Sequence, residues 1–146
     1  MKKILGILSA SILSCGIASA QTYAPTQTSK TPYGEVSIIQ NHLYPTSVLL
    51  FKGEKTAPRI TGNNSLDIVQ TITDKNVDYV ILRSNGGELC PARYSIVSVS
   101  DRGAFPTNFF GTCSDSPDIK KVGLNIVIEM PDLKGKKHKF IYENMG

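Results

Sequence analysis

The chain has 146 residues, a formal net charge of +4 at neutral pH and 40% hydrophobic residues. This length suits a single domain that buries a sufficient core and does not need a metal to fold. Lys2 and Lys3 carry two of the four net positive charges, so the rest of the chain has a net charge of only +2. So small a charge argues against nucleic-acid binding, which needs a concentrated basic face.

The first 20 residues have the three-part layout of a secretory signal peptide. Lys2 and Lys3 are followed by an apolar run over residues 4–17 and by a small-residue cleavage site, Ala-Ser-Ala, at residues 18–20. The apolar run is too short to span a bilayer, which takes about 20 residues. We therefore predict a signal peptide over residues 1–20, export to the periplasm, and a mature chain without a transmembrane span.

A second way of processing this signal is open. Residues 12–15, Ile-Leu-Ser-Cys, resemble a bacterial lipoprotein cleavage box in which Cys15 is acylated. Leu13 fits its place in that box poorly, whereas residues 18–20 form a good ordinary site. Cleavage after Ala20 is the favoured interpretation, and an outer-membrane lipoprotein anchored through Cys15 is the alternative to it.

The remaining chain has the pattern of one β domain. Residues 21–34 are polar, contain two prolines and predict a flexible leader, so that the domain covers residues 35–146. Turn residues then separate short runs of β-type sequence, and some runs alternate apolar and polar residues. We predict an all-β fold, an antiparallel sandwich or partly open barrel of seven or eight short strands. The runs are residues 36–39, 48–51, 77–82, 124–130 and 138–143.

Residues 65–73 are ambiguous between a strand and a short helix. Ser65 suits a helix cap, but the segment is rich in β-branched residues, which lose side-chain freedom in a helix. We therefore favour a strand.

A hairpin is predicted over residues 90–113. Residues 92–100 read as a strand, and Asp101-Arg102-Gly103 suits a three-residue loop with the glycine in the left-handed position. Pro106 predicts that the returning strand lies at a sheet edge or is interrupted there. If Ser100 faces Ala104, the two ends of the hairpin meet to within a one-residue bulge.

Those ends carry Cys90 and Cys113, the two cysteines that follow the signal segment. Two cysteines in an exported domain most often form one disulfide, and facing strands bring them within reach of each other. Residues 90–94 (Cys-Pro-Ala-Arg-Tyr) and 110–115 (Phe-Gly-Thr-Cys-Ser-Asp) also resemble a paired pattern in small exported proteins of proteobacteria. The resemblance implies the disulfide and the compartment, and it carries over no catalytic residue.

Two groups of polar residues are candidates for binding. A rigid, disulfide-tied element suits recognition, although the residues near it also have an interpretation as surface ion pairs of little consequence. A lysine cluster suits an anionic partner, such as lipid head groups, a polysaccharide or an acidic protein; alternatively, it is a solvated hairpin tip that protects an exposed strand edge. The group near the cysteines consists of Arg83, Glu88, Arg93 and Asp115. The lysine cluster consists of Lys134, Lys136, Lys137 and Lys139.

Catalytic and metal-binding patterns are weak. His42 and His138 are the only histidines, too few for a zinc site once the cysteines are paired, and no serine lies in a Gly-x-Ser-x-Gly motif. Paired carboxylates for glycosidase-type chemistry remain an alternative. The acids available for it are Asp74, Asp78, Glu88, Asp115, Asp118 and Glu129. We predict no cofactor, no metal and no catalytic residue.

The leading hypothesis is an exported, non-catalytic binding module of the cell envelope (an inhibitor, an immunity-type protein or an accessory subunit) that binds another protein.

Overall fold

The computed structural model describes residues 24–41 and 46–144, in which every regular element is a β-strand. Sheet A consists, in spatial order, of β1 (Gln27–Thr31), β2 (Gly34–Asn41), β3 (Thr46–Phe51) and β4 (Glu54–Lys55). Sheet B consists of β5 (Ser65–Thr73), β6 (Asp78–Asn85), β7 (Ala92–Ser100) and β8 (Gly103–Pro106). In sheet C, β10 (Asn125–Pro131) lies between β9 (Asp118–Val122) and β11 (Lys137–Glu143). All pairings are antiparallel.

Sheet B is the middle layer of three. On one face of β6, Val80 and Leu82 pack with buried residues of β2 and β3 in sheet A. On the other face, Tyr79 and Ile81 pack with buried residues of β10 in sheet C. A strand covered on both faces has no polar side to present to water, which explains why residues 77–82 are almost continuously apolar.

The predicted all-β antiparallel sandwich is confirmed, and it has three layers. The described residues form eleven strands, so the prediction of seven or eight is too low. The sequence patterns missed three strands that carry few apolar residues: β1, the two-residue β4, and β9 with its paired lysines. Edge strands such as these have at least one side exposed to solvent, so they do not need a regular pattern of apolar residues.

The prediction of a flexible leader over residues 21–34 is wrong for residues 27–34. Gln27 to Thr31 pair with β2 over five residues, and the Gln27 side chain bonds to sheet B, donating to Asp67 Oδ1 over 3.0 Å and accepting from the Ile68 N–H over 2.6 Å. Backbone pairing and this one amide replace the apolar contacts that the sequence lacks. Residues 65–73 form strand β5, as predicted, with a bulge between Ile68 and Gln70.

The predicted hairpin between β7 and β8 is present with its register shifted by one residue. Ser100 pairs with Gly103 and not with Ala104, so the turn has two residues, Asp101 and Arg102. Pro106 ends β8, which is the edge strand of sheet B, as predicted. The described residues contain no helix of the length and apolar character that crossing a membrane requires.

Candidate functional site

The Cys90–Cys113 disulfide ties together the two ends of the segment that contains β7 and β8. The Cα atoms of the two cysteines are 4.6 Å apart. Next to them, Tyr94 and Phe110 exchange two backbone hydrogen bonds of 2.8 Å each. The register of the β7–β8 hairpin does not run unbroken to the cysteines, because the Tyr94–Phe110 pair is offset from it by one residue. The bond between Cys90 and Cys113 confirms the predicted disulfide, and the hairpin reaches it through the one-residue irregularity that the sequence analysis allowed for.

The loop over residues 86–91 is closed by its own backbone. The Gly86 N–H donates to the Pro91 carbonyl over 2.9 Å, and the Cys90 N–H donates to the Gly87 carbonyl over 3.2 Å. A Cβ atom on Gly86 would collide with the Cys90 carbonyl, so this close approach requires glycine. At the outside of the loop the Leu89 side chain is 94% exposed.

The turn between β10 and β11 is organised by one carboxylate. Asp132 accepts hydrogen bonds from the backbone N–H groups of Lys134 and Lys136, both over 2.9 Å, and lies 2.8 Å from His138 Nε2. The hydrogen bond with His138 is the main reason that the pKa of the Asp132 carboxyl is lowered. The turn holds Leu133 in the solvent with 89% of its surface exposed.

These pieces meet around a hollow of about 240 Å³. We call the surface formed by residues 86–91, 111–115 and 132–136 the stapled end. Tyr94, which is fully buried, fixes its middle segment by donating from its hydroxyl to the Ser114 carbonyl over 2.9 Å. The lining includes three predicted residues, Glu88, Cys113 and Asp115, together with Asp132 and Leu133 of the β10–β11 turn.

A second hollow, of about 460 Å³, lies on the other side of the disulfide. Cys90 and the predicted Arg93 line it, with Thr46, Asn63 and Ser84. The guanidinium of Arg93 donates to the Phe109 carbonyl over 3.1 Å, which holds the exposed side chain along the rim.

Arg83, the fourth predicted residue near the cysteines, belongs to a different cluster. It donates to Asp67 Oδ2 over 3.2 Å, and Asn85 donates to the same oxygen over 2.6 Å. Burial raises the pKa of Asp67, but the hydrogen bonds from Asn85 and Arg83 outweigh that effect and leave the pKa lowered. These contacts join neighbouring strands, and with Gln27 they also join sheets A and B. Arg83 lines neither hollow, and its contact with Asp67 joins strands β6 and β5 within sheet B.

The four predicted lysines lie in the turn and along β11. Lys139 pairs with Glu129 over 3.4 Å. Lys134, Lys136 and Lys137 form no ion pair with any described residue and leave three positive charges to the solvent. The cluster is therefore available to an anionic group, although the Asp132 carboxylate lies among its members.

Two of the candidate acids face each other. Asp118 and Glu129 are opposite partners in the β9–β10 pairing, and both line a hollow of about 190 Å³. Each is also ion-paired with a lysine, Lys120 or Lys139.

Glu88 and Asp115 both line the hollow of the stapled end, whereas Asp74 and Asp78 have separate surroundings. Asp74 pairs with Lys121 over 3.1 Å, and the hydrogen bond from the Lys75 backbone is the largest cause of its lowered pKa. Asp78 is buried, its Oδ1 has no hydrogen-bond partner among the described residues, and burial raises its pKa. The site residues that sequence reasoning missed are Asp67, Asp132, Leu89 and Leu133.

No protein-family model, no curated protein and no solved structure matches the chain. The resemblance of residues 90–94 and 110–115 to small exported proteins of proteobacteria thus stays a prediction. Within residues 24–41 and 46–144, no three His, Cys, Asp or Glu side chains form a group that could hold a metal ion. Cys15 and His42 lie outside the described residues.

Proposed function

We propose that this chain is a non-catalytic binding module of the cell envelope that docks on another protein through its stapled end. The observation that carries the proposal is the presentation of two almost fully exposed leucines, Leu89 and Leu133, on loops that are held in place. Scattered apolar residues on a surface need no explanation. Leu133 lines the hollow of the stapled end, and Leu89 lies in the loop over residues 86–91, which supplies Glu88 to the same hollow. Large apolar side chains close to a hollow that contains carboxylates match the apolar anchor and polar rim of a protein interface.

The rigidity of the loops supports a binding role. Association costs free energy for every loop and side chain that must become ordered, so a surface ordered in advance binds more tightly for the same contacts. Here the loops are ordered before binding by the disulfide, the Gly86–Pro91 hydrogen bond and the hydrogen bonds to the Asp132 carboxylate. The partner that fits is a protein with apolar pockets for two leucines and a basic group for the hollow between Glu88 and Asp115.

The test is capture from an envelope extract of the source bacterium at physiological salt. We expect the mature protein to retain a partner that the double variant Leu89→Ser, Leu133→Ser loses. Leu124→Ser is the matched control, because Leu124 is 66% exposed and lies at the opposite end of β10. Retention by the double variant, or no partner for the unmodified protein, would refute the proposal.

An envelope hydrolase that uses paired carboxylates is the alternative function. Asp118 and Glu129 support it by lying opposite each other at one hollow. An acid catalyst, however, needs a carboxyl kept protonated by its surroundings, and these two acids make ion pairs with lysines. Among the described carboxyls the pKa is raised at Asp78, which is buried and lines none of the hollows described above. Release of sugar or peptide fragments from envelope polymers that Asp118→Asn abolishes would establish the hydrolase instead.

The location of the protein in the periplasm is part of the proposal. A disulfide is compatible with an oxidising compartment. Mass spectrometry of the mature N-terminus separates the two processing routes: a free Gln21 supports cleavage after Ala20, whereas an acylated Cys15 establishes the lipoprotein.

A further inference from the structure

The two outer layers of the sandwich differ in their number of strands. Sheet B has four strands, sheet A covers one of its faces with four, and sheet C covers the other with three. Ser98 of β7 pairs with Tyr79 of β6 and with Phe105 of β8, so these three side chains share the face toward sheet C. Tyr79 is buried against Tyr142, but Phe105 is 51% exposed. Sheet C therefore leaves the β8 side of sheet B uncovered.

The outer edge of β11 borders this uncovered strip. The Asp132 N–H donates to the Lys136 carbonyl, so this is a hydrogen-bonded pair. Hydrogen-bonded and non-bonded pairs alternate along an antiparallel ladder, so His138, Phe140 and Tyr142 are the residues of β11 whose backbone bonds to β10. The N–H and C=O groups of Lys139 and Ile141 then point away from β10. Sheet C ends at β11, so no described strand pairs with these groups.

A groove made of two adjacent hollows lies between that edge and sheet B. Its first part, about 360 Å³, is lined by Ile96, Phe110 and Phe140, and is mostly apolar. Its second part, about 580 Å³, is lined by Ser98 and Phe105 among others. Both parts share Tyr142, which makes them neighbours along β11.

We propose that this groove is an open fourth-strand position of sheet C, and that an extended segment of another protein fills it by pairing with β11. Main-chain groups of the edge supply hydrogen bonds, and pockets for alternate side chains supply specificity. This surface is separate from the stapled end, and the proposal goes beyond the docking function assigned there.

The surroundings of the groove define the chemistry of the segment. Every second side chain points down toward Phe105 and Phe110 and is apolar. On the outer face, Lys137, which makes no ion pair with a described residue, lies at one end of β11 beside the Lys139–Glu129 pair, and Glu143 lies at the other end. The segment therefore has acidic residues at the lysine end. A second copy of this chain fits less well, because its β11 would bring its own sheet B into the space that β8 already occupies.

The test uses a synthetic peptide of about nine residues that alternates valine with threonine and carries aspartates at the end beside the lysines. We expect it to protect the amide hydrogens of Lys139 and Ile141 from exchange, and to bind Ile141→Pro at least tenfold more weakly. Proline removes an outward N–H without removing a bond to β10. Ile141→Thr, which keeps the N–H, is the matched control and retains binding. Lys139→Pro is the second variant, should Ile141→Pro not fold.

The outcome distinguishes this proposal from the first one. The double variant Leu89→Ser, Leu133→Ser binds the peptide as the unmodified protein does if the two surfaces are separate. The fourth-strand position is refuted if the peptide leaves both amides unprotected at millimolar concentration. The choice of occupant is overturned if sedimentation shows a dimer that Ile141→Pro dissociates, because the edge then pairs with a second copy.

Discussion

Removing the disulfide is expected to lower the free energy of unfolding by about 3.4 kcal/mol. The two cysteines are 23 positions apart, and closing a loop of this size restricts the unfolded chain by roughly that free energy. The double variant Cys90→Ala, Cys113→Ala leaves the rest of the sandwich intact, since neither side chain belongs to the two apolar cores. A domain of this size has about 5–15 kcal/mol of stability, so the variant still folds but with a much smaller margin.

The measurement is guanidinium unfolding of the oxidised protein and of the double variant, followed by circular dichroism. The midpoint should fall, and the slope of the transition should change only as far as the unfolded chain becomes less compact. Amide exchange adds a local prediction: residues 86–91 and 111–115 lose protection first, while β6 keeps it. A loss below about 1 kcal/mol would refute the loop-closure reasoning and assign the stability of this end to the Tyr94–Phe110 backbone pair.

Three further predictions concern single side chains. Gly86→Ala should cost about 1–3 kcal/mol of stability through the collision with the Cys90 carbonyl, whereas Gly87→Ala, which has open space around its Cβ, should cost little; thermal unfolding of both variants decides this. Tyr94→Phe should cost about 1 kcal/mol by removing the hydrogen bond to the Ser114 carbonyl, and an unchanged unfolding midpoint would contradict it. The raised pKa of Asp78 means that the folded state binds more protons than the unfolded state, so stability falls as pH rises above about 4, the ordinary aspartate value. The difference in unfolding free energy between Asp78→Asn and the parent should therefore be more favourable to the variant at pH 7 than at pH 3.5. A difference that is the same at both pH values would refute this.

The parts of the fold that the sequence predicted are those specified by apolar periodicity and by the cysteines. The apolar run over residues 77–82 predicts a strand that is buried on both faces, and the alternation over residues 124–130 predicts a strand with one face on a core. β1 escaped prediction because it has no apolar residue and is held by backbone pairing and by Gln27. Local patterns do not contain such bonds, whose partners lie about 40 residues away in the chain.

The candidate site was predicted in part, for a similar reason. Glu88, Arg93 and Asp115 were proposed from their closeness to the cysteines, and the structure places them at the hollows on either side of the disulfide. Leu89 and Leu133 were not proposed, because a single leucine in a turn gives no sign of whether it is covered. Their exposure is decided by how the neighbouring loops fold back, which depends on Gly86 and Asp132.

Sheet B has a consequence for how the molecule comes apart. Its four strands follow one another along the chain through short connections, while its two faces form one wall of each core. Neither outer sheet can keep its apolar side dry after the middle one is lost, so we expect a single cooperative melting transition and no stable half-molecule. A proteolytic fragment of sheet A or of sheet C should therefore aggregate or remain unstructured, whereas folding can begin in the consecutive hairpins of the middle layer.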